Sequence, residues 1–436
     1  MKQSTQLFRE VNLSFAIFLV IGNIIGTGIF TISGLIAQEL GISWWLIGIW
    51  ILGGILALIG AICYSVLGIE IPKAGGEYAF LYPYYGPLPA FLSGWASLFI
   101  GFSAPIAAAA LGLAYYLQPL IGLGSAQDIV VLKGIAMIAL VAITIVISMG
   151  LQTGTRLHSL LTFANLGLVA GFAVLVLWRA PLRTNLTPIL TGSPIAVDFT
   201  SLGSAILLVM FTYSGWNAAA YMAEEIRQPR RNIPTALILG TSLVIIIYLT
   251  INLAYFGAVP FSELEGEIAV AEITATRMFG TTGSLIISWL ITFSFLTSIT
   301  AMSIAGPRVY FAMSRNRLFP HRLSQVHAKK KVPVLAIWFQ SIIALVLIAV
   351  GSFYQILLYA GGILVLFATL TVSVLFQIPS NGKPFFTLLY RILPAIFVLV
   401  NTGVLVATVI SHPTEAMAGL LTVALGIPVY MGFKGR

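Results

Sequence analysis

The chain has 436 residues, 59% of them hydrophobic and only 8% charged, with a mean hydropathy of +1.02 and a net charge of +9. That balance excludes a soluble globular domain and places most of the mass in a bilayer, as an all-α polytopic membrane protein. The positive charge is therefore read by where it falls relative to the spans, not as a nucleic-acid signal.

A span needs about 20 apolar residues. That length predicts twelve transmembrane helices, at 13–38, 44–69, 88–119, 129–149, 156–178, 199–226, 234–259, 281–312, 333–350, 353–377, 387–410 and 415–432. Residues 1–12 and 433–436 are left as short tails. The first run is too long for the core of a leader and a second span follows at once, so no cleavable leader is expected. An even number of spans puts both termini on one side. Of the 22 Lys and Arg residues, all but Lys133, Arg179, Arg183 and Arg277 then fall on the tails and the loops of that side. The positive-inside rule makes it cytoplasmic, which predicts a multi-pass protein of the plasma (inner) membrane with both termini inside. Lys329-Lys330-Lys331 reads as a juxtamembrane basic cluster facing anionic lipid.

Span 1 carries Ile21-Gly22-Asn23-Ile24-Ile25-Gly26-Thr27-Gly28-Ile29-Phe30 near its middle. Glycine in a helix interior costs roughly 1 kcal/mol against alanine. Broken backbone at membrane depth is tolerated only where it is buried in protein or lines a cavity. The stretch is either a close-packing notch or an unwound binding segment. Span 6 decides between them with Phe211-Thr212-Tyr213-Ser214-Gly215-Trp216-Asn217, a second polar, glycine-containing break. It lies five spans on. Five is odd, so a five-span unit repeated once must be inverted. Paired breaks at matching positions of two halves point to a transporter binding site. The units are 13–178 and 199–377, followed by two further helices over 387–432.

Helix polarity assigns the two breaks their chemistry. The first half of each broken helix ends at its break with free carbonyls, and the second half of span 1 begins there with free N–H groups. An amide end attracts an anion and a carbonyl end a cation. Thr27, Gly28 and Ile29 offer N–H groups to a carboxylate; carbonyls at Ile25, Phe211, Thr212 and Ser214 face an ammonium. A ligand bearing both groups on one carbon is an α-amino acid. No charged side chain is visible near either break, which argues against a strongly charged substrate side chain.

These residues resemble the amino acid–polyamine–organocation transporter superfamily, with its leucine-transporter-type 5+5 inverted repeat and discontinuous helices 1 and 6. The resemblance rests on Gly22 to Phe30, on Phe211 to Asn217 followed by Glu224 to Pro234, on Ala74-Gly75-Gly76-Glu77-Tyr78, and on Gly306 to Arg315. The Ser-Gly-Trp-Asn form of helix 6 is most similar to the L-type amino acid transporter branch. The resemblance implies that Thr27 and Gly28 hold the substrate carboxylate, that carbonyls of Ile25, Phe211, Thr212 and Ser214 hold the ammonium, and that Phe211 is the gate over it, with Gly26, Ile29 and Gly215 in the same site. Many relatives carry a Lys in helix 5 beside the helix 1 break; here the matching residue is Asn165. Asn165 is either an interhelical polar contact or a donor to carbonyls freed at the break.

The expected function is secondary transport of neutral L-amino acids by alternating access, driven by a coupling proton or by trans-substrate. A cationic amino acid or polyamine antiporter is the alternative. It needs an acid facing the pocket, and Glu70 and Glu77 are the nearby candidates, though both read better as residues of the cytoplasmic end. A non-transporting amino acid sensor is a third reading. No catalytic or metal-ligand pattern lies within a span, so no enzyme, metal or cofactor is expected. The lone cysteine, Cys63, sits in an apolar run and makes a disulfide-linked partner unexpected. Glu224 and Glu225 close span 6, where the helix dipole disfavours acids; Arg156 and Arg308 are candidate partners, in a gate or a static clamp. The tyrosines of 78–85 read mostly as an interfacial belt and the four histidines as interface residues. The hydroxyls of span 8, from Ser294 to Ser303, read as bonding back to their own helix more readily than as a sodium site.

Overall fold

The computed structural model describes residues 6–26, 28–42, 44–122, 129–191, 198–350, 353–379 and 387–434. Apolar runs make helices here because each backbone N–H then finds its partner within the segment, which hydrocarbon surroundings demand. The helices are α1 (Leu13–Ile24), α2 (Gly28–Leu40), α3 (Trp45–Glu70), α4 (Glu77–Tyr85), α5 (Pro87–Ala96), α6 (Ala104–Leu120), α7 (Ile129–Ser148), α8 (Leu151–Arg179), α9 (Leu182–Thr191) and α10 (Phe199–Thr212). After these come α11 (Ala218–Tyr221), α12 (Pro229–Ala258), α13 (Phe261–Leu264), α14 (Val270–Ala305), α15 (Pro307–Arg315), α16 (Val334–Val350), α17 (Phe353–Ser373), α18 (Leu393–Ser411) and α19 (Pro413–Lys434). Among the described residues there is no strand, only one isolated parallel bridge between Val11 and Ile226.

Among the described residues, eight helices are long and apolar enough to cross a membrane unaided, and the bent pair α1–α2 makes a ninth. Three further expected spans fall on shorter apolar helices, Phe199–Thr212, Val334–Val350 and Gly361–Gln377. Length and composition therefore mark nine crossings where hydropathy reading predicted twelve, and the difference lies in these three.

The local chemistry explains the interruptions. Asn12 caps α1, its side chain accepting from the Phe15 N–H at 2.9 Å. The helix stops when Ile25 turns extended (φ −72°, ψ 93°), and α2 leaves at 41° to α1. Span 6 likewise ends its first helix at Thr212, then runs through turns in which Gly215 takes φ +101°. Its second half is shorter than expected: α11 holds a single turn before the chain unwinds again. The third expected span is also interrupted, by a π segment at Ser97–Ser103. Pro105 has no N–H to offer the Gly101 carbonyl four residues back, so the α-helical ladder cannot be complete there.

The two broken helices sit at the centre of the bundle. α1 touches α8, α11, α12 and α14, while α10 touches α2, α3, α17 and α18. One end is tied together by chain segments. The Val11 N–H donates to the Glu225 carbonyl at 3.0 Å and the Arg227 N–H to the Val11 carbonyl at 2.9 Å. Lys331 pairs with Glu10, and Leu7 packs on Ala74, Phe311 and Val326.

Candidate functional site

The two breaks face each other. The Asn23 amide donates to the Gly215 carbonyl at 3.4 Å. A Cβ on Gly28 would stand 2.6 Å from Thr212 Oγ1, so α2 starts in direct contact with the end of α10. Between and beside the breaks lies a cavity of about 150 Å³ lined by Gly26, Gly28, Phe211, Thr212, Ser214 and Gly215. Ser97, Gly101, Phe102 and Pro105 of the π-distorted span 3 form another wall, and Ile363 and Phe367 of α17 a third. An engineered apolar cavity of about this volume holds a benzene, so a small organic molecule is the appropriate occupant. Among the described lining residues, Glu77 is the one formally charged side chain.

Of the predicted site residues, Ile25 and Ile29 are fully buried in the core and do not line the cavity. Thr27 lies outside the described residues. Phe211 of α10 packs against the buried cluster of Ala96, Ile100 of the π segment and Ile363 of α17. Asn165 is buried away from the cavity, its Oδ1 accepting from Ser294 Oγ at 2.6 Å. Its contact is thus to α14, not to carbonyls of α1.

The carbonyls expected to be free are partly engaged. Ser298 Oγ donates to the Ile25 carbonyl at 3.1 Å. The Tyr248 hydroxyl donates to the Ile24 carbonyl at 2.8 Å and reaches the Thr212 carbonyl at 3.3 Å. The Phe211 carbonyl accepts the Ser214 N–H at 3.0 Å. Each carbonyl has two lone pairs, so these bonds orient the oxygens and leave capacity for a ligand ammonium. Tyr248 was visible only as a hydroxyl in the apolar run of span 7, and Ser298 only as one of several in span 8. Thr297 bonds back to Phe293 and Thr300 to Thr297, both at 2.8 Å.

Four expectations need correction. Glu77 is not an end residue: it is buried, lines the cavity, and its Oε1 accepts from Tyr64 at 2.9 Å and from Asn217 Nδ2 at 2.6 Å. His158 is not at an interface: it is fully buried, meeting the Phe18 carbonyl at 3.1 Å and Thr300 at 3.0 Å. Tyr78 is 1% exposed, its hydroxyl accepting from Asn316 at 2.8 Å, so it does not belong to an aromatic belt. Of the two candidate partners for the acids closing span 6, Arg156 is exposed and pairs with neither, whereas Arg308 pairs with Glu225 as expected and Arg315 takes Glu224 at 2.8 Å. Glu70 remains peripheral and accepts from the Tyr390 hydroxyl at 2.9 Å. Trp216 lines the cavity and also packs edge-on to Tyr64 at 4.7 Å and to Phe397 at 6.1 Å.

Residues 11–432 match the family described as amino acid permease. The chain is 31% identical to the serine/threonine exchanger SteT of Bacillus subtilis (strain 168), over 99% of this chain and 98% of that protein. It is 30% identical to the b(0,+)-type amino acid transporter 1 of Homo sapiens, over 99% and 89%. It is 28% identical to the large neutral amino acids transporter small subunit 2 of Oryctolagus cuniculus, over 97% and 80%.

Proposed function

The chain belongs to the amino acid permease family and is a multi-pass membrane transporter of amino acids; from that premise we propose that it carries small neutral L-amino acids by alternating access. The observation that supports this best is the meeting of the two helix breaks over one small cavity. The amide end of α2 takes the substrate carboxylate, with Thr27 and Gly28 contributing N–H groups. Carbonyls at Phe211, Thr212 and Ser214, which line the cavity, take the ammonium, with Tyr248 holding that of Thr212 in orientation. Phe211 closes over the bound molecule. The cavity volume and the similarity to a serine/threonine exchanger both favour a small side chain. We read helices 1–5 and 6–10 as an inverted 5+5 repeat with two added helices, rocking around the midplane site. The distribution of Lys and Arg supports cytoplasmic termini in the plasma (inner) membrane.

The test is uptake of a radiolabelled amino acid panel into liposomes holding the purified protein. L-Serine, L-threonine and related neutral amino acids are expected to be taken up and to compete with one another. Phe211→Ala is expected to lower uptake roughly tenfold or more, equivalent to about 1.4 kcal/mol of lost stabilisation. Wild-type-like uptake by that variant sinks the gate assignment. A second reading, a cationic amino acid or polyamine antiporter, gains support from one observation, the carboxyl of Glu77 in the cavity wall. Competition by arginine or putrescine in place of neutral amino acids would establish it. Thermal-shift binding without flux would instead indicate a sensor.

A further inference from the structure

Glu77 is the feature that the transport reading leaves unused. It opens α4 directly after two glycines in the left-handed region, Gly75 (φ +116°) and Gly76 (φ +55°). A Cβ on Gly76 would stand 2.3 Å from Tyr221 Cε1, so only glycine lets the turn pass close beneath that ring. The turn thereby delivers a carboxyl into the protein just below the break of span 6. There, Oε1 accepts the Tyr64 hydroxyl of α3 at 2.9 Å and the Asn217 amide of the break at 2.6 Å. Oε2 is buried with no hydrogen-bond partner, on a residue 5% exposed that lines the substrate cavity.

The surroundings hold no counter-charge. From α3 the group facing the carboxyl is Tyr64, itself beside Thr371 of α17. From the break it is Asn217. From α11 it is Tyr221, whose hydroxyl accepts from Asn217 at 3.3 Å and stands beside the carboxyl without closing a bond to Oε2. Among the described residues, no Lys, Arg, His or Asp lines the cavity or pairs with Glu77. An ionised carboxylate buried without a cation is unfavourable, and such groups take up a proton instead. The Tyr64 and Asn217 donors are both spent on Oε1, which leaves Oε2 as the oxygen that carries the hydrogen. Resting on the neutral amino acid reading above, we propose that Glu77 is the proton-binding site that couples transport to a proton gradient.

The chemistry balances simply. A proton enters from bulk water on one face, forms an O–H bond at Oε2, and returns to water on the other face when the carboxyl ionises. No other bond changes. Asn217 links this event to the substrate site, because it donates to Oε1 and lies in the same turn as Ser214 and Gly215. Burial, the largest influence, raises the carboxyl above its usual value, while the hydrogen bonds from Tyr64 and Asn217 to Oε1 pull it back.

The experiment reads proton movement and the pH profile of L-serine and L-threonine uptake in liposomes holding the full chain, with a trapped pH dye. The wild type is expected to acidify the lumen as substrate enters, moving a proton with each amino acid. Its uptake should fall by up to about tenfold per pH unit above the midpoint for protonation of Glu77. Glu77→Gln should abolish both the acidification and the pH dependence, whatever absolute rate it retains. Tyr64→Phe removes one donor to the ionised form and should move the midpoint upward by about one pH unit. It decides the matter if the Gln variant does not fold. Wild-type flux without proton movement, a pH profile that survives Glu77→Gln, or an unmoved midpoint in Tyr64→Phe each overturns the proposal. So does selective loss of arginine or putrescine uptake in Glu77→Gln, which would make Glu77 a substrate ligand. No flux of any neutral amino acid in the wild type would instead overturn the transport reading on which this one rests.

Discussion

Gly215→Ala is expected to remove nearly all amino acid uptake, although it adds only one methyl group. Gly215 holds φ +101°, a conformation that costs an L side chain on the order of 1–3 kcal/mol. Its new Cβ would stand 2.7 Å from both the carbonyl oxygen and the side-chain nitrogen of Asn23. The carbonyl belongs to the last turn of α1 and has no rotamer to change. Overpacking of this kind costs about 1–3 kcal/mol more. The chain can relieve it only by separating the two breaks, and their separation dismantles the cavity. Uptake in liposomes is expected to drop on the order of a hundredfold, each tenfold step corresponding to about 1.4 kcal/mol. Gly134→Ala is the matched control. It lies within α7, has no heavy atom within 4 Å of the added carbon, and should leave uptake unchanged. Equal uptake by the two variants would show that the breaks do not need to touch.

Why the breaks could be read from the chain, while other parts of the site could not, has a physical reason. Glycine beside polar residues in a membrane-length apolar run violates local helix preference, and such violations survive only where something compensates them. Gly26, Gly28 and Gly215 were therefore conspicuous. Glu77 and His158 were not, because hydropathy reports how far a residue is from a span end but not which way the chain turns there. The left-handed turn at Gly75 and Gly76 carries Glu77 inward. His158 lies in the second turn of α8, where Phe18, Thr162 and Thr300 surround it. Asn165 shows the converse limit. Its position beside the helix 1 break was inferred from a register, and that register did not specify its contact with Ser294. The short second half of span 6 was also out of reach. Its helix ends after Tyr221, where packing against Gly76 and the Glu224–Glu225 pairs takes over from backbone hydrogen bonds.

Those pairs carry the second large expectation, that Arg308→Ala destabilises the protein by about 3–5 kcal/mol. Arg308 and Glu225 are both 0% exposed. The guanidinium meets the carboxylate at two points, Nε to Oε1 at 2.7 Å and Nη2 to Oε2 at 3.0 Å, and its Nη1 donates to the Ile304 carbonyl at 2.6 Å. Removing it leaves Glu225 charged and buried with nothing to answer it, and the penalty is that of the stranded carboxylate more than of the lost bond. The loss should also spread. The Glu225 backbone receives the Val11 N–H at 3.0 Å, and the neighbouring Glu224 holds Arg315 and the Ala74 N–H, so one short segment ties together three parts of this end, the N-terminal segment, the Ala74 turn and α15. Arg315→Ala, at a pair 30% and 20% exposed, should cost much less because water screens what remains. The measurement is the fraction of monodisperse protein after heating in detergent, ranked across Arg308→Ala, Glu225→Gln, Arg315→Ala and the double variant Arg308→Met with Glu225→Gln. Two contacting members of one ion pair are expected to be non-additive, with the double variant more stable than the summed losses of Arg308→Met and Glu225→Gln measured singly. Strict additivity would mean that the pair does not hold this end together. On the alternating-access proposal the same segments would part when this end opens, and the buried pair would oppose that opening. Weakening it should populate the conformation open on that side, which accessibility of a cysteine placed at Gly26 to a thiol reagent would register.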